Sequence, residues 1–136
     1  MMNIVLDTNC LLMSLSRRSP YHPVWRDFVD GKYTLCITTE ILAEYEEILT
    51  EKMGWEIANN VITAILDLPN TKMVQVFYHL HLINADPDDD KFVDCAFKAN
   101  ARYIVTEDHH YDVLKKTNFP IINVIDIDEF LNVLRG

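Results

Sequence analysis

The stretch NIVLDTNCLLMSL, residues 3–15, decides the fold. Its first part, residues 3–7, is a short apolar run that ends on an acid. Such a run without alternation predicts a strand buried on both faces. The small and apolar residues from Thr8 to Leu15 predict a short helix directly behind it. Arg17, Arg18, Ser19, Pro20 and Pro23 then break the pattern. An acid placed straight after a buried strand, as at Asp7, is hard to explain as a solvated charge. It is the first candidate for chemistry.

Working outward, the same alternation continues. Residues 24–30 predict a helix that stops near Gly31, and residues 33–37 (YTLCI) a second strand. Thr38 or Thr39 is placed to cap the next helix. That helix, at about 40–52, is the clearest in the chain. Ile41, Leu42, Tyr45, Ile48 and Leu49 share one of its faces at ~100° per residue. Gly54 separates it from a helical pattern at 55–67, with Ile57, Val61, Ile65 and Leu68 at core spacing, and Pro69 closes that pattern. Further strands are predicted at 72–77, 102–106 and 120–125, and further helices at 89–100, 109–117 and 127–135. Strands that alternate with helices in this way predict an α/β fold, a three-layer α/β/α sandwich around a central parallel sheet of about five strands. No repeat or linker interrupts residues 1–136, which are therefore expected to form a single domain. In such sheets, sites lie at the carboxyl ends of the strands.

Composition agrees with a folded chain. The 136 residues are 49% hydrophobic and carry 21 Asp+Glu against 12 Lys+Arg, a formal net charge of −9. This length suits one domain, because shorter units bury too little surface. The mean hydropathy of −0.01 argues against disorder. The low count of 3 Gly and 5 Pro excludes a collagen-like or low-complexity chain. The positive footprint usual for nucleic-acid binding is absent. No basic region followed by an apolar run opens the sequence, so no signal peptide is expected. No apolar stretch approaches the roughly 20 residues of a membrane span. Cys10, Cys36 and Cys95 are widely spaced and match neither a disulfide framework nor a zinc motif. Three reduced, buried thiols in a cytoplasmic protein are expected.

The acids fall at telling places. Asp7 and Asp108 both follow apolar strands. Asp90 and Asp94 are four apart and share a helix face, expected to oppose a sheet-packing face of Phe92, Cys95, Ala96 and Ala99. Asp86, Asp88 and Asp89 suit the cap and first turn of that helix. On the 40–52 helix, Glu44 and Glu46 flank opposite edges of the apolar face, and helical phase does not choose between them. Carboxylates that converge without Lys or Arg raise one another's pKa values. A hard divalent cation removes that problem, and oxygen-only ligands suit Mg²⁺ or Mn²⁺, which also meet substrate phosphates. Such ions activate water and stabilise the leaving oxygen of a phosphodiester.

Four segments carry a family resemblance: VLDTNCLL (5–12), ITTEILAEYEEIL (37–49), DPDDDKFVDCAFKANARYIVTEDHHY (86–111) and FPIINVIDIDEFL (119–131). In order and spacing they resemble the PIN-domain family, closest to its branch of toxin components of toxin–antitoxin systems. The resemblance implies a metal-dependent ribonuclease with a parallel sheet between helices. It implies Asp7 as first acid, Glu44 as second, Asp90 as third and Asp108 as fourth. Asp94 matches a further acid of this branch, and Asn9 and Thr106 match polar positions that orient the acids. His110 and Glu107 depart from the pattern, the first where the family often has Asp, the second where it often has Gly or a basic residue. An added negative charge at Glu107 is expected to alter metal or substrate preference.

The expected mechanism is hydrolysis of RNA. Asp7, Asp90 and Asp108 would hold one Mg²⁺ or Mn²⁺, with Glu44 and Asp94 completing the pocket or supporting a second ion. Arg17, Arg18, Lys91, Lys98, Lys115 and Lys116 are candidates for phosphate contacts. An antitoxin protein and a second copy of the chain are the implied partners, with Trp25, Phe28 and Trp55 weighed between an interface and the core. A non-catalytic RNA- or protein-binding module is the alternative. A haloacid-dehalogenase-like phosphatase would need an Asp where Asn9 stands, although Asp108 and Asp112 imitate its late motif. A receiver domain would need a phosphoacceptor Asp and a late Lys that the sequence does not offer.

Overall fold

The strands run Asn3–Leu6 (β1), Thr34–Ile37 (β2), Thr71–Met73 (β3), Tyr103–Val105 (β4) and Val124–Ile125 (β5). They form one parallel sheet in the order β3-β2-β1-β4-β5. β1 is central, with Ile4 facing Leu35 on one side and Tyr103 on the other. Ile4 and Val5 are both fully buried, so successive side chains meet protein on both faces of the sheet. The unbroken apolar run follows from that position. This computed structural model describes residues 1–77, 79–80, 90–116 and 121–136.

The helices are Thr8–Leu15 (α1), His22–Val29 (α2), Thr39–Met53 (α3), Trp55–Asp67 (α4), Asp90–Ala99 (α5) and Ile127–Arg135 (α6), with a 3-10 helix at His109–Lys116. They flank the sheet as the predicted α/β/α sandwich. α5 packs on β1, β2 and β4, α1 packs on α2, and α3 packs on α4. Phe130 of α6 stands edge-on to Tyr33 at 5.3 Å, tying the last helix to the start of β2.

Several boundaries differ from the sequence reading for local reasons. α2 begins at His22, because Pro23 sits in its first turn, where the missing N–H is not needed. β3 ends at Met73 and does not run on to 77. Val74 still donates to the Ile37 carbonyl at 2.7 Å, but Gln75 and Phe77 are exposed. Of the strand predicted at 120–125, Val124 and Ile125 pair with β4, whereas Ile121 is 77% exposed. On α4 the buried face is Ala58, Val61, Ile62 and Ile65, which leaves Ile57 exposed. Of the aromatics weighed for an interface, Phe28 is buried, Trp25 packs on it at 5.5 Å, and Trp55 is exposed. α5 stops at Ala99 because Asn100 takes a left-handed conformation, φ 51°, that Asn tolerates. Asp86, Asp88, Asp89 and the residues 117–120 lie outside the described residues.

Candidate functional site

β1 delivers Asp7 to the start of α1 in extended conformation, and its carbonyl accepts the Leu11 N–H at 3.1 Å. Its own N–H donates to the Val105 carbonyl at 3.0 Å, which fixes it beside the end of β4. One residue further along that edge, Thr106 donates its hydroxyl to Asp7 Oδ2 at 2.6 Å. The Thr106 hydroxyl oxygen itself accepts the Asp108 N–H at 3.0 Å. A single buried hydroxyl therefore orients the first acid and holds the backbone of the fourth. Asp108 Oδ1 in turn accepts the His110 N–H at 2.9 Å and stands 3.3 Å from His110 Nδ1.

Burial pushes the Asp7 carboxyl above the usual carboxylate range. The Thr106 hydroxyl and the Thr8 amide pull it down, while the charges of Glu44 and Asp108 push it up. Asp7 is only 8% exposed, so desolvation of the charged form outweighs the two hydrogen bonds.

Glu44 reaches the same edge from α3. Tyr45, buried beside it in sequence, donates its hydroxyl to the Leu6 carbonyl at 2.5 Å and so pins α3 to the end of β1. Glu44 then accepts the Thr8 hydroxyl on Oε2, and Lys91 Nζ lies 2.9 Å from Oε1. Of the two glutamates that helical phase left open, Glu46 is exposed and Glu44 is the one that meets Thr8 and Lys91.

α5 carries Asp90 and Asp94, 8% and 3% exposed. The expectation that these acids oppose the packed face is corrected. Phe92, Val93, Cys95, Ala96 and Ala99 are also buried, so α5 is covered nearly all round. Asp94 accepts the Leu80 N–H on Oδ1 at 2.9 Å, and His79 Nδ1 lies 2.9 Å from Oδ2. That hydrogen bond, with the Asp94 charge, raises the His79 pKa.

Asn9 is exposed on α1 and, among the described residues, makes no side-chain hydrogen bond to an acid. Thr106, the other polar residue expected to orient an acid, does hydrogen-bond Asp7. Glu107 accepts the Ile127 N–H at 2.8 Å and so supports the first turn of α6, a structural use that the sequence reading missed. Thr8, Lys91 and His79 are the other partners of the acids that it did not foresee. Thr8 and Lys91 each adjoin a candidate acid in sequence. Nothing local marks His79. Among the described residues, no three His, Cys, Asp or Glu side chains are gathered tightly enough to hold an ion.

A PIN domain profile matches residues 3–110. The chain belongs to the PIN-domain family. Solved structures similar to this PIN domain include VapBC2 from Rickettsia felis bound to a DNA fragment from their promoter, with TM-score 0.64 and 16% identity over 92% of this chain and 98% of that one. DNA-bound VapBC from Salmonella typhimurium aligns at TM-score 0.60 and 19% identity, over 93% and 99% of the two chains. VapBC-1 from nontypeable Haemophilus influenzae gives TM-score 0.60 and 11% identity over 93% and 99%. At these identities the likeness is one of fold. No curated protein matches the PIN domain at a significant level. Among its described residues no helix is long and apolar enough to cross a membrane.

Proposed function

We propose that this PIN domain is a divalent-metal-dependent endoribonuclease, a single catalytic unit over residues 1–136, and the toxin component of a toxin–antitoxin pair. The observation that carries the reading is the buried Asp7 carboxylate, raised in pKa and facing the charges of Glu44 and Asp108. A divalent cation relieves that electrostatic burden. The donor chemistry fits Mg²⁺ or Mn²⁺, because every candidate ligand is a carboxylate oxygen. Asp7, Asp90 and Asp108 would hold the ion, with Glu44 and Asp94 completing the pocket.

A bound ion would supply Lewis acidity at the phosphate and lower the pKa of an attacking water. The chain's own groups do the rest. Thr106 keeps Asp7 Oδ2 engaged and so fixes the orientation of the carboxylate. Thr8 and Lys91 hold Glu44 from two sides. Lys91 also brings positive charge to an acidic rim, which lowers the repulsion of an approaching phosphate. Purified wild-type protein should cleave RNA with Mg²⁺ or Mn²⁺, and Asp7→Asn should remove cleavage while the circular dichroism spectrum stays unchanged. Equal activity of the two proteins sinks the proposal.

The toxin assignment rests on family membership and on neighbours that are VapBC structures. It implies an antitoxin protein as partner, with a second copy of this chain beside it. Induced expression should slow growth, and co-expression of an antitoxin should restore it. Undiminished growth with soluble protein counts against the assignment.

A non-catalytic binding module is the second reading. It is favoured by the pairs that occupy the acids, Lys91 on Glu44 and His79 on Asp94. Calorimetric metal binding without cleavage of any RNA supports this reading.

A further inference from the structure

A cavity of about 460 Å³ opens next to the acids, at the carboxyl ends of β2 and β3. Val74 and Val76 give it apolar surface, Glu40 and Gln75 give it polar atoms, and Lys91 and Asp94 belong both to its lining and to the acid site. Its volume lies within the roughly 300–1,000 Å³ of ligand pockets, and its lining mixes polar and apolar side chains, His79 among them. Proteins read single-stranded RNA by taking unstacked bases into such surfaces and hydrogen-bonding their edges. Lys91 links the two places, since it lines the cavity while its Nζ lies 2.9 Å from Glu44 Oε1. The cavity thus adjoins the carboxylates beside which a phosphate would sit.

The polar groups discriminate among bases. Glu40 is a carboxylate in the first turn of α3 and only accepts hydrogen bonds. Guanine presents two neighbouring donors on its Watson–Crick edge, the N1–H and the 2-amino group, which match two carboxylate oxygens. Adenine and cytosine present an amino group beside a lone pair, and uracil a single N–H between two carbonyls. A carboxylate therefore favours guanine over the other three.

We infer that the cavity is a base subsite for a guanine flanking the scissile phosphate, with Glu40 reading its edge. The inference rests on the ribonuclease reading above. The full chain is titrated in the presence of Mg²⁺ with 5′-GMP, AMP, CMP and UMP and followed by backbone amide NMR. GMP should shift the amides of Glu40, Val74 and Gln75 and bind roughly tenfold more tightly than the others, within the range that one bidentate base contact discriminates. Glu40→Gln should lose that preference. Glu47→Gln, an equal charge change on the same helix outside the cavity lining, should keep it. Equal binding of all four nucleotides, shifts confined to other residues, or an unchanged preference in Glu40→Gln overturns the inference. Cleavage is scored separately. RNA cleavage without guanine preference in binding overturns the subsite alone. Guanine binding in the cavity without any RNA cleavage overturns the ribonuclease reading and supports the cavity as a guanine site.

Discussion

Thr106 shows how much one hydroxyl does at this sheet edge. It donates to Asp7 and accepts from the Asp108 backbone, so Thr106→Val removes both contacts at nearly constant volume. Partners that orient metal ligands typically contribute 10- to 100-fold to metal affinity or activity. Thr106→Val should therefore lower kcat/KM for RNA by roughly 10- to 100-fold, while Thr106→Ser restores most of it. An unaltered kcat/KM in the valine variant shows that Asp7 needs no orientation. The cysteines give a second residue-scale prediction. All three are buried, and desolvation raises their pKa values, Cys95 to about 12. A thiolate is the reactive form, so a thiol reagent should label none of them rapidly in the native protein and all of them in guanidinium. Fast native labelling contradicts the burial. At this scale the positions of Asp7 and Asp108 at the sheet edge were legible because each follows an apolar strand. Thr8, Lys91 and His79 were not, since their roles arise from contacts between distant segments that no spacing encodes.

The elements were more legible than their ends. β1 and β2 and helices α3 and α6 stand close to where periodicity and apolar runs placed them, because burial on defined faces leaves a regular pattern. β3 and β5 were overextended, since a few alternating residues at a sheet edge look alike whether or not they pair. Ile57 was misplaced by one position, and the small Ala58 took the core face that hydrophobicity alone would not have awarded it. Gly54 was read correctly as a break and has a backbone reason. It joins α3 to α4 at φ 91° and ψ 158°, a region essentially restricted to glycine. An added Cβ there would meet no neighbour within 4 Å, so the cost of Gly54→Ala is purely conformational. It should reach about 1–3 kcal/mol, read as a lower denaturant midpoint with an unchanged m-value. A shift near zero shows that the joint relaxes freely.

For the whole molecule, the question is why a −9 chain should handle RNA. Much of the surplus is local. In the sequence, residues 86–94 alone hold five aspartates against one lysine, and in the structure Asp7, Glu44 and Asp108 stand near one another at the sheet edge. On the proposed nuclease reading, the acidity marks where cations would bind before a phosphate approaches. Mg²⁺ or Mn²⁺ should raise the thermal midpoint of the wild type, with a gain of about 2.7 kcal/mol when the free ion is at 100 times its Kd. The gain should shrink as pH falls toward the raised pKa of Asp7, because protons compete for the ligand. Asp7→Asn should show little of it, and an equal gain in that variant places the ion elsewhere.

On the proposed reading, the carboxylates at this sheet edge make the PIN domain a metal-dependent nuclease. Cleavage of a labelled single-stranded RNA by wild type and by Asp90→Asn, each with Mg²⁺, with Mn²⁺ and with excess EDTA, tests it most directly. Cleavage by the wild type with metal alone, abolished by EDTA and by the substitution in a folded protein, is the predicted result. Cleavage that survives either EDTA or Asp90→Asn would contradict it.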